Sequence, residues 1–339
     1  MLQHESHHIV AIEAVHCPIP TFNLPCPYTV DTYHWTSQSE LAHRIKDATI
    51  ILTTTIPLSA EVLSPDITPN LQLIVIMASG TDCVDRVACQ ARGITICNCP
   101  GTNMDSVSEH VIGAYFATRR KFVHLHQATV SVPDDPGVET EWKMNGTLHP
   151  RLRMSDGNPP LLCSQETLGI LGFGALGRRV ETLAWALGMK VIVSDHKGVV
   201  PRDGRVSFET FLKESTVLVL CLPRSSKTVN LISTEEFRMM MPQAVVINVA
   251  RGGIVDEQAL LDAVKEGVIS GAAMDVFKDE PVGRGGSPLI TREIEEEGLN
   301  LLLTPHLAWY SGMTLRNLQE GVKGTVERWV GGETINRIL

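Results

Sequence analysis

No apolar run in this 339-residue chain approaches the roughly 20 residues needed to cross a bilayer. The opening "MLQHESHHIV" lacks the basic stretch and long apolar core of an export signal. These absences point to a soluble, cytoplasmic protein with no membrane partner. Positive charge is also scarce. Lys and Arg number 29 against 38 Asp and Glu, a net charge of −9. Such a surface repels phosphate backbones, so no direct nucleic-acid partner is expected, although a small anion can still be drawn to a local cation. The eight cysteines are scattered. Neither Cys97 with Cys99 nor the group His4, His7 and His8 has the spacing of a four-ligand zinc site, so no metal is expected. The cysteines read as small buried hydrophobes in a reducing compartment and the N-terminal histidines as a solvated end. There is no fixed-period repeat and no low-complexity tract.

What the chain does have is an alternation of short apolar runs with helical patterns. "IVAIEAV" (9–15), "TIILTT" (49–54), "LQLIVIMA" (71–78) and "ITICN" (94–98) come first. "TLGILG" (167–172), "KVIVSD" (190–195), "TVLVLCLP" (216–223), "AVVINVA" (244–250), "GAAMDVF" (271–277) and "NLLLTPH" (300–306) follow. Runs without polar alternation suit strands covered on both faces, and βαβα order implies parallel sheets flanked by helices. The fold class is therefore α/β. Two long helices look like connectors. The first starts near Asp105, with Ser106 and Glu109 at capping-box spacing, and buries Val107, Val111, Ala114 and Tyr115. It ends in Arg119-Arg120-Lys121, cations suited to the negative end of a helix dipole. The second follows His306, repeats Leu315, Leu318, Val322, Val326 and Trp329 at helical spacing, and stops at Gly331-Gly332. The Pro- and Gly-bearing stretch at 131–165 is too long for a simple connection, so it is a packed excursion or an oligomer contact.

"LGILGFGALGRRV" places Gly172, Gly174 and Gly177 in G-x-G-x-x-G spacing, after a strand and at the start of a helix. Gly172 permits the tight turn, Gly174 lets a pyrophosphate approach the backbone, and Gly177 lets helix and strand pack closely. Ala175 and Leu176 open the helix whose N–H groups would face the phosphates. The next strand ends at Asp195, eighteen residues after Gly177, where a carboxylate binds the ribose 2′-hydroxyl of NAD and repels the 2′-phosphate of NADP. His196 and Lys197 pull the other way, but NAD is the expected cofactor. Three later strand ends carry Arg251, then Asp275 with Glu280 just beyond, and His306. In parallel sheets ligands bind beyond the carboxyl ends of strands, so these groups converge on the rim of the glycine loop.

"GFGALG", "NVARGGIVDEQALLDAVKEG", "GAAMDVFKDEP" and "LLLTPHLAW", with "SGTDCVD" and "GITICNCPGTNMDSVSEH" earlier, resemble the D-isomer-specific 2-hydroxyacid dehydrogenase family across nearly the whole chain. The resemblance implies two Rossmann-like domains with an active-site cleft between them: residues 1–104 and 306–339 form the substrate domain, and 105–305 the NAD-binding domain. It implies His306 as general acid and base, Glu280 as its hydrogen-bonding partner, and Arg251 on the substrate carboxylate, with Ser79 and Gly80 N–H groups also on the carboxylate. An ordinary imidazole titrates near 6.5, which suits proton transfer near neutral pH. The resemblance also places Cys221, Pro223, Thr228, Ala250 and Asp275 around the nicotinamide and its ribose, and implies a homodimer through the cofactor domain. Trp309 stands where the family usually has a small residue, so it is either a wall of the substrate pocket or a packing anchor. "PGTNMDSVSEH" leans towards glycerate, hydroxypyruvate and glyoxylate reductases. "HLAWYS" resembles the C-terminal binding protein branch, an NAD-sensing corepressor type, which is the alternative reading.

Overall fold

The computed structural model describes residues 6–339, the side chains of residues 295 and 296 aside. In chain order the elements begin β1 (His7–Ala11), β2 (Tyr28–Thr32), α1 (Gln38–Ile45), β3 (Ile50–Thr53), β4 (Leu73–Ile76), α2 (Arg86–Arg92) and β5 (Thr95–Asn98). α3 (Met104–Arg119), α4 (Phe122–Val130) and α5 (Glu141–Asn145) follow. Then come β6 (Thr167–Leu171), α6 (Ala175–Ala186), β7 (Lys190–Ser194), α7 (Phe208–Glu214), β8 (Val217–Leu220), α8 (Thr234–Met239), β9 (Val245–Asn248), α9 (Glu257–Lys265) and β10 (Gly271–Met274). The chain closes with α10 (Glu293–Glu296), β11 (Leu301–Leu303) and α11 (Gly312–Val330).

Two compact units result, one of Met1–Asn103 with Tyr310–Leu339 and one of Met104–Trp309. The smaller unit has a parallel sheet in the order β2-β1-β3-β4-β5. Its core is built from Val10, Ile12, Ile51, Ile74, Ile76 and Ile96 with Leu41 and Ile45 of α1. The larger unit has a parallel sheet in the order β11-β10-β9-β8-β6-β7. Strand order reverses between β6 and β8, and such a switch point leaves a crevice at the strand carboxyl ends. The interior strands β8, β9 and β10 are buried along their whole length, which is why they read as unbroken apolar runs.

Four local expectations are corrected. β2 has no counterpart among the apolar runs, because it is an edge strand whose residues are mostly exposed. His7 and His8 are not a solvated end: they open β1, where His7 is buried with Nδ1 3.1 Å from Thr49 Oγ1, and His8 pairs with Asp31 at 2.9 Å. His4 lies outside the described residues. α3 begins at Met104, so Ser106 sits inside the first turn instead of capping it, and Asp105 supplies the acid favoured there. Arg119 is not a dipole cation in solvent. It is fully buried, with Nε 2.7 Å from Glu166 Oε1 and Nη2 3.0 Å from Oε2.

Candidate active site

The glycine loop follows β6 at the switch point of the larger unit. Gly172 has φ +96°, and a Cβ there would meet the Cys221 carbonyl at 2.6 Å. A Cβ on Gly177 would meet the Gly172 oxygen at 2.4 Å, so this glycine is required by helix–strand packing. Gly174 differs from both. It lies at φ −82°, and a Cβ there would touch nothing within 4 Å. The protein's own packing does not demand a glycine here, and the open space at the helix start is what a pyrophosphate would use. No side chain caps α6, so the N–H groups of its first turn, opening with Ala175, Leu176 and Gly177, face outward as donors. Val180 and Ala184 bury the opposite face against the sheet. These residues fit a dinucleotide.

The neighbouring strand ends complete that rim. Cys221 follows β8 and donates its N–H to Leu171 O at 2.8 Å, and burial pushes its thiol up to about 12, so it remains a neutral wall. Thr228 Oγ1 closes the next turn, accepting from Ser225 N–H at 2.7 Å and donating to Pro223 O at 3.0 Å. β9 ends in Asn248, which is fully buried. Its side chain accepts from Ala250 N–H and donates to Arg251 O, both at 3.0 Å. This clamp fixes the backbone from which Arg251 projects. The polar residue at the end of "VVIN" was the available signal for it, and it went unread.

His306 occupies an unusual backbone position, with φ +55°. A non-glycine residue there carries strain of about 1–3 kcal/mol, so it persists only where its surroundings hold it. Asp275, after β10, does the holding. Its carbonyl accepts from His306 N–H at 2.7 Å, and its carboxylate accepts from Leu307 and Ala308 N–H, both at 3.0 Å. Thr304 Oγ1 donates to the same carboxylate at 2.6 Å. That hydroxyl has one proton, so His110 Nε2, 3.3 Å from Thr304 Oγ1, must be the donor to it. His110, on the first connector helix, was also missed in the sequence. The His306 ring then places Nδ1 2.6 Å from Glu280 Oε2 and leaves Nε2 as its other functional edge. Burial would raise the Glu280 carboxyl. The hydrogen bond and charge of His306, the Phe277 N–H and the Arg251 charge together hold it below the usual carboxylate range.

Trp309 packs against the core cluster containing Val107, Val111 and Ala308, whereas Leu307 is exposed beside His306. In the smaller unit, Ser79 and Gly80 lie on the loop after β4. Ser79 Oγ donates to Cys99 O at 3.3 Å, and neither residue's N–H is hydrogen-bonded among the described residues.

A glycine loop at a switch point, a charged arginine and a carboxylate-paired histidine on one rim define a dinucleotide-dependent oxidoreductase. The model of the NAD binding domain of D-isomer specific 2-hydroxyacid dehydrogenases matches residues 142–308. A glycerate dehydrogenase of Methylorubrum extorquens is 35% identical over 325 residues, 96% of each chain. A glyoxylate reductase of Thermococcus litoralis is 34% identical over 220 residues, 63% of this chain and 62% of that one. The structure of a D-lactate dehydrogenase from Aquifex aeolicus complexed with NAD and lactic acid superposes with a TM-score of 0.71 at 26% identity, over 90% of each chain. The chain belongs to the D-isomer-specific 2-hydroxyacid dehydrogenase family. It is an NAD-dependent oxidoreductase acting on the CH–OH group of 2-hydroxy acids. These enzyme relatives do not favour the corepressor-type alternative.

Proposed function

We propose that this chain reduces a small 2-oxo acid of the glyoxylate or hydroxypyruvate type to the corresponding 2-hydroxy acid, the D isomer where that product is chiral. The observation that carries the reading is the 2.6 Å contact between His306 and Glu280 on the same sheet rim as the glycine loop and Arg251. The names of the relatives, a glycerate dehydrogenase and a glyoxylate reductase, support the substrate class. NADH, when bound, supplies the hydride that reaches the carbonyl carbon. His306 Nε2 gives its proton to the carbonyl oxygen, so a C–H and an O–H bond form as the C=O double bond is reduced. Glu280 holds the ring orientation and favours the imidazolium that this step consumes. Arg251 binds the substrate carboxylate through its planar fork and draws charge from the adjacent carbonyl.

NADH consumption against a panel of glyoxylate, hydroxypyruvate, pyruvate, phenylpyruvate and branched 2-oxo acids tests the class. Fastest turnover of the two- and three-carbon acids is expected, and preference for the bulky acids refutes the proposal. His306→Ala is expected to abolish turnover while NADH binding persists.

The finer setting is part of the same proposal. Eight free cysteines suit a reducing cytoplasm. The segment after α3 exposes Phe122, Val130, Val132, Trp142, Met144 and Leu162, apolar side chains that a subunit contact would cover, which supports a homodimer. Light scattering on the purified chain tests it, with Trp142→Glu expected to shift the population towards monomer.

A further inference from the structure

Register pairs Leu171 of β6 with Ser194 of β7, so Asp195 stands beside Gly172 at the rim. Its carboxylate does not project freely there. Asp195 is 2% exposed, and Arg202 holds its carboxylate together with the His196 backbone N–H. Arg202 N–H donates to Oδ2 at 2.8 Å, Arg202 Nε to Oδ2 at 3.0 Å, and Nη2 to Oδ1 at 2.6 Å. The main chain seals the same loop, with Asp195 N–H on Val206 O at 3.0 Å and Val206 N–H on Val193 O at 2.9 Å. Arg202 itself is turned outward, its side chain 68% exposed. A guanidinium has five N–H donors, and Asp195 takes two of them, which leaves three for a ligand.

The other charges nearby are differently employed. Lys197, a candidate phosphate ligand from the sequence, reaches Glu236 at 2.6 Å. Arg205 and Arg178 lie over the Phe173 ring of the glycine loop, 4.5 and 5.0 Å from its centroid. Asp203, next to Arg202 in the chain, is exposed.

We propose that Arg202 sets the dinucleotide preference of this chain, and that NADPH binds alongside NADH. An uncovered carboxylate at this position accepts from a 2′-hydroxyl and repels a 2′-phosphate. Here the carboxylate is covered by a cation, and what the rim presents outward is the remaining edge of a guanidinium. That edge matches a phosphate through paired N–H donors. The inference rests on the NAD-binding reading of the glycine loop and extends it to the adenosine ribose.

The test is direct binding of NADH and NADPH to the full chain without substrate, by titration calorimetry or nicotinamide fluorescence. In the unmodified protein the two dissociation constants are expected to agree within about tenfold. Arg202→Ala is expected to raise the NADPH-to-NADH ratio of dissociation constants by at least about tenfold, through loss of the charge-assisted fork. Arg202→Lys keeps the charge and the cover on Asp195, and recovers part of that ratio. NADH binding with NADPH weaker by about a hundredfold or more overturns the role of Arg202 alone. An unchanged ratio in both variants does the same, and reduces the pair to a staple of the loop. Failure of both dinucleotides to bind overturns the glycine-loop reading itself.

Discussion

His306 Nδ1 and Glu280 Oε2 stand 2.6 Å apart across 26 residues of chain, and the backbone that presents His306 is held in its left-handed conformation by Asp275. The pair joins two strand ends of one sheet, so ring orientation is set by the fold rather than by the loop alone. Nδ1 is committed to Glu280, so in the proposed mechanism Nε2 is the nitrogen assigned to proton transfer.

Glu280→Gln removes the charge and keeps the shape. The amide no longer favours a proton on His306, which reduction of a 2-oxo acid requires. Turnover is expected to fall by about 10²–10⁴, the usual worth of a positioned acid or base. Steady-state rates with NADH and a 2-oxo acid check this, and unchanged turnover would falsify the assignment of Glu280.

The glycine loop separates binding from folding. Gly174→Ala introduces a methyl where nothing of the protein lies within 4 Å. Thermal stability is expected to hold or rise slightly, while NADH affinity drops at least about tenfold because the methyl fills pyrophosphate space. Gly177→Ala drives a methyl to 2.4 Å from the Gly172 oxygen and is expected to lower the melting temperature first. Melting curves and NADH titrations on the two variants give opposite orders if the assignment holds.

In the smaller unit the switch point lies between β1 and β3, and Glu13 fills it. The carboxylate is fully buried and accepts from Thr53 Oγ1 at 2.8 Å, Thr55 N–H at 2.6 Å and Ile56 N–H at 2.9 Å. Burial would raise its carboxyl, but the His16 contact and the Ile56, Thr55 and Thr54 donors outweigh burial and hold it at about 2, down from 4.5. A carboxyl depressed in the folded state stabilises the fold above its unfolded value and loses that contribution as pH falls towards its folded value. The smaller unit is therefore expected to lose about 3 kcal/mol between roughly pH 4.5 and pH 2. In Glu13→Gln that acid-dependent loss is absent, and stability is already reduced at pH 7. Denaturant melts followed against pH measure it.

Much of this fold was open to reading because parallel strands buried on both faces leave unbroken apolar runs, as "VLVL" of β8 and "VVIN" of β9 do. The edge strand "YTVDT" carries no such pattern and was invisible. In the site, glycine spacing and strand-end polarity located the loop, Arg251, Glu280 and His306. Arg202 and His110 were not legible, because their partners are decided by how a loop folds back and which helix faces β11. Neither distance is encoded in local spacing.

Arg119 shows the same limit and supplies a stability test. At the end of α3 it looks like one of three surface cations, yet it is fully buried on Glu166, which precedes β6. Its Nη2 also donates to Thr216 O at 2.9 Å and its Nη1 to Gln243 O at 2.6 Å, just before β8 and β9. Tyr115 OH donates to Glu166 at 3.1 Å, and Thr216 Oγ1 donates to the same carboxylate. One guanidinium therefore ties the connector helix to the amino ends of three strands. Removing it strands a buried carboxylate. Arg119→Ala is expected to cost the larger unit about 3–5 kcal/mol, the usual penalty for breaking one side of a buried pair. Arg119→Met with Glu166→Leu replaces both charges by apolar groups and is expected to recover much of that loss, because no charge is then left unpaired. Urea unfolding of the two variants decides between a paired network and a single dispensable contact, since only the network predicts that the double variant is the more stable.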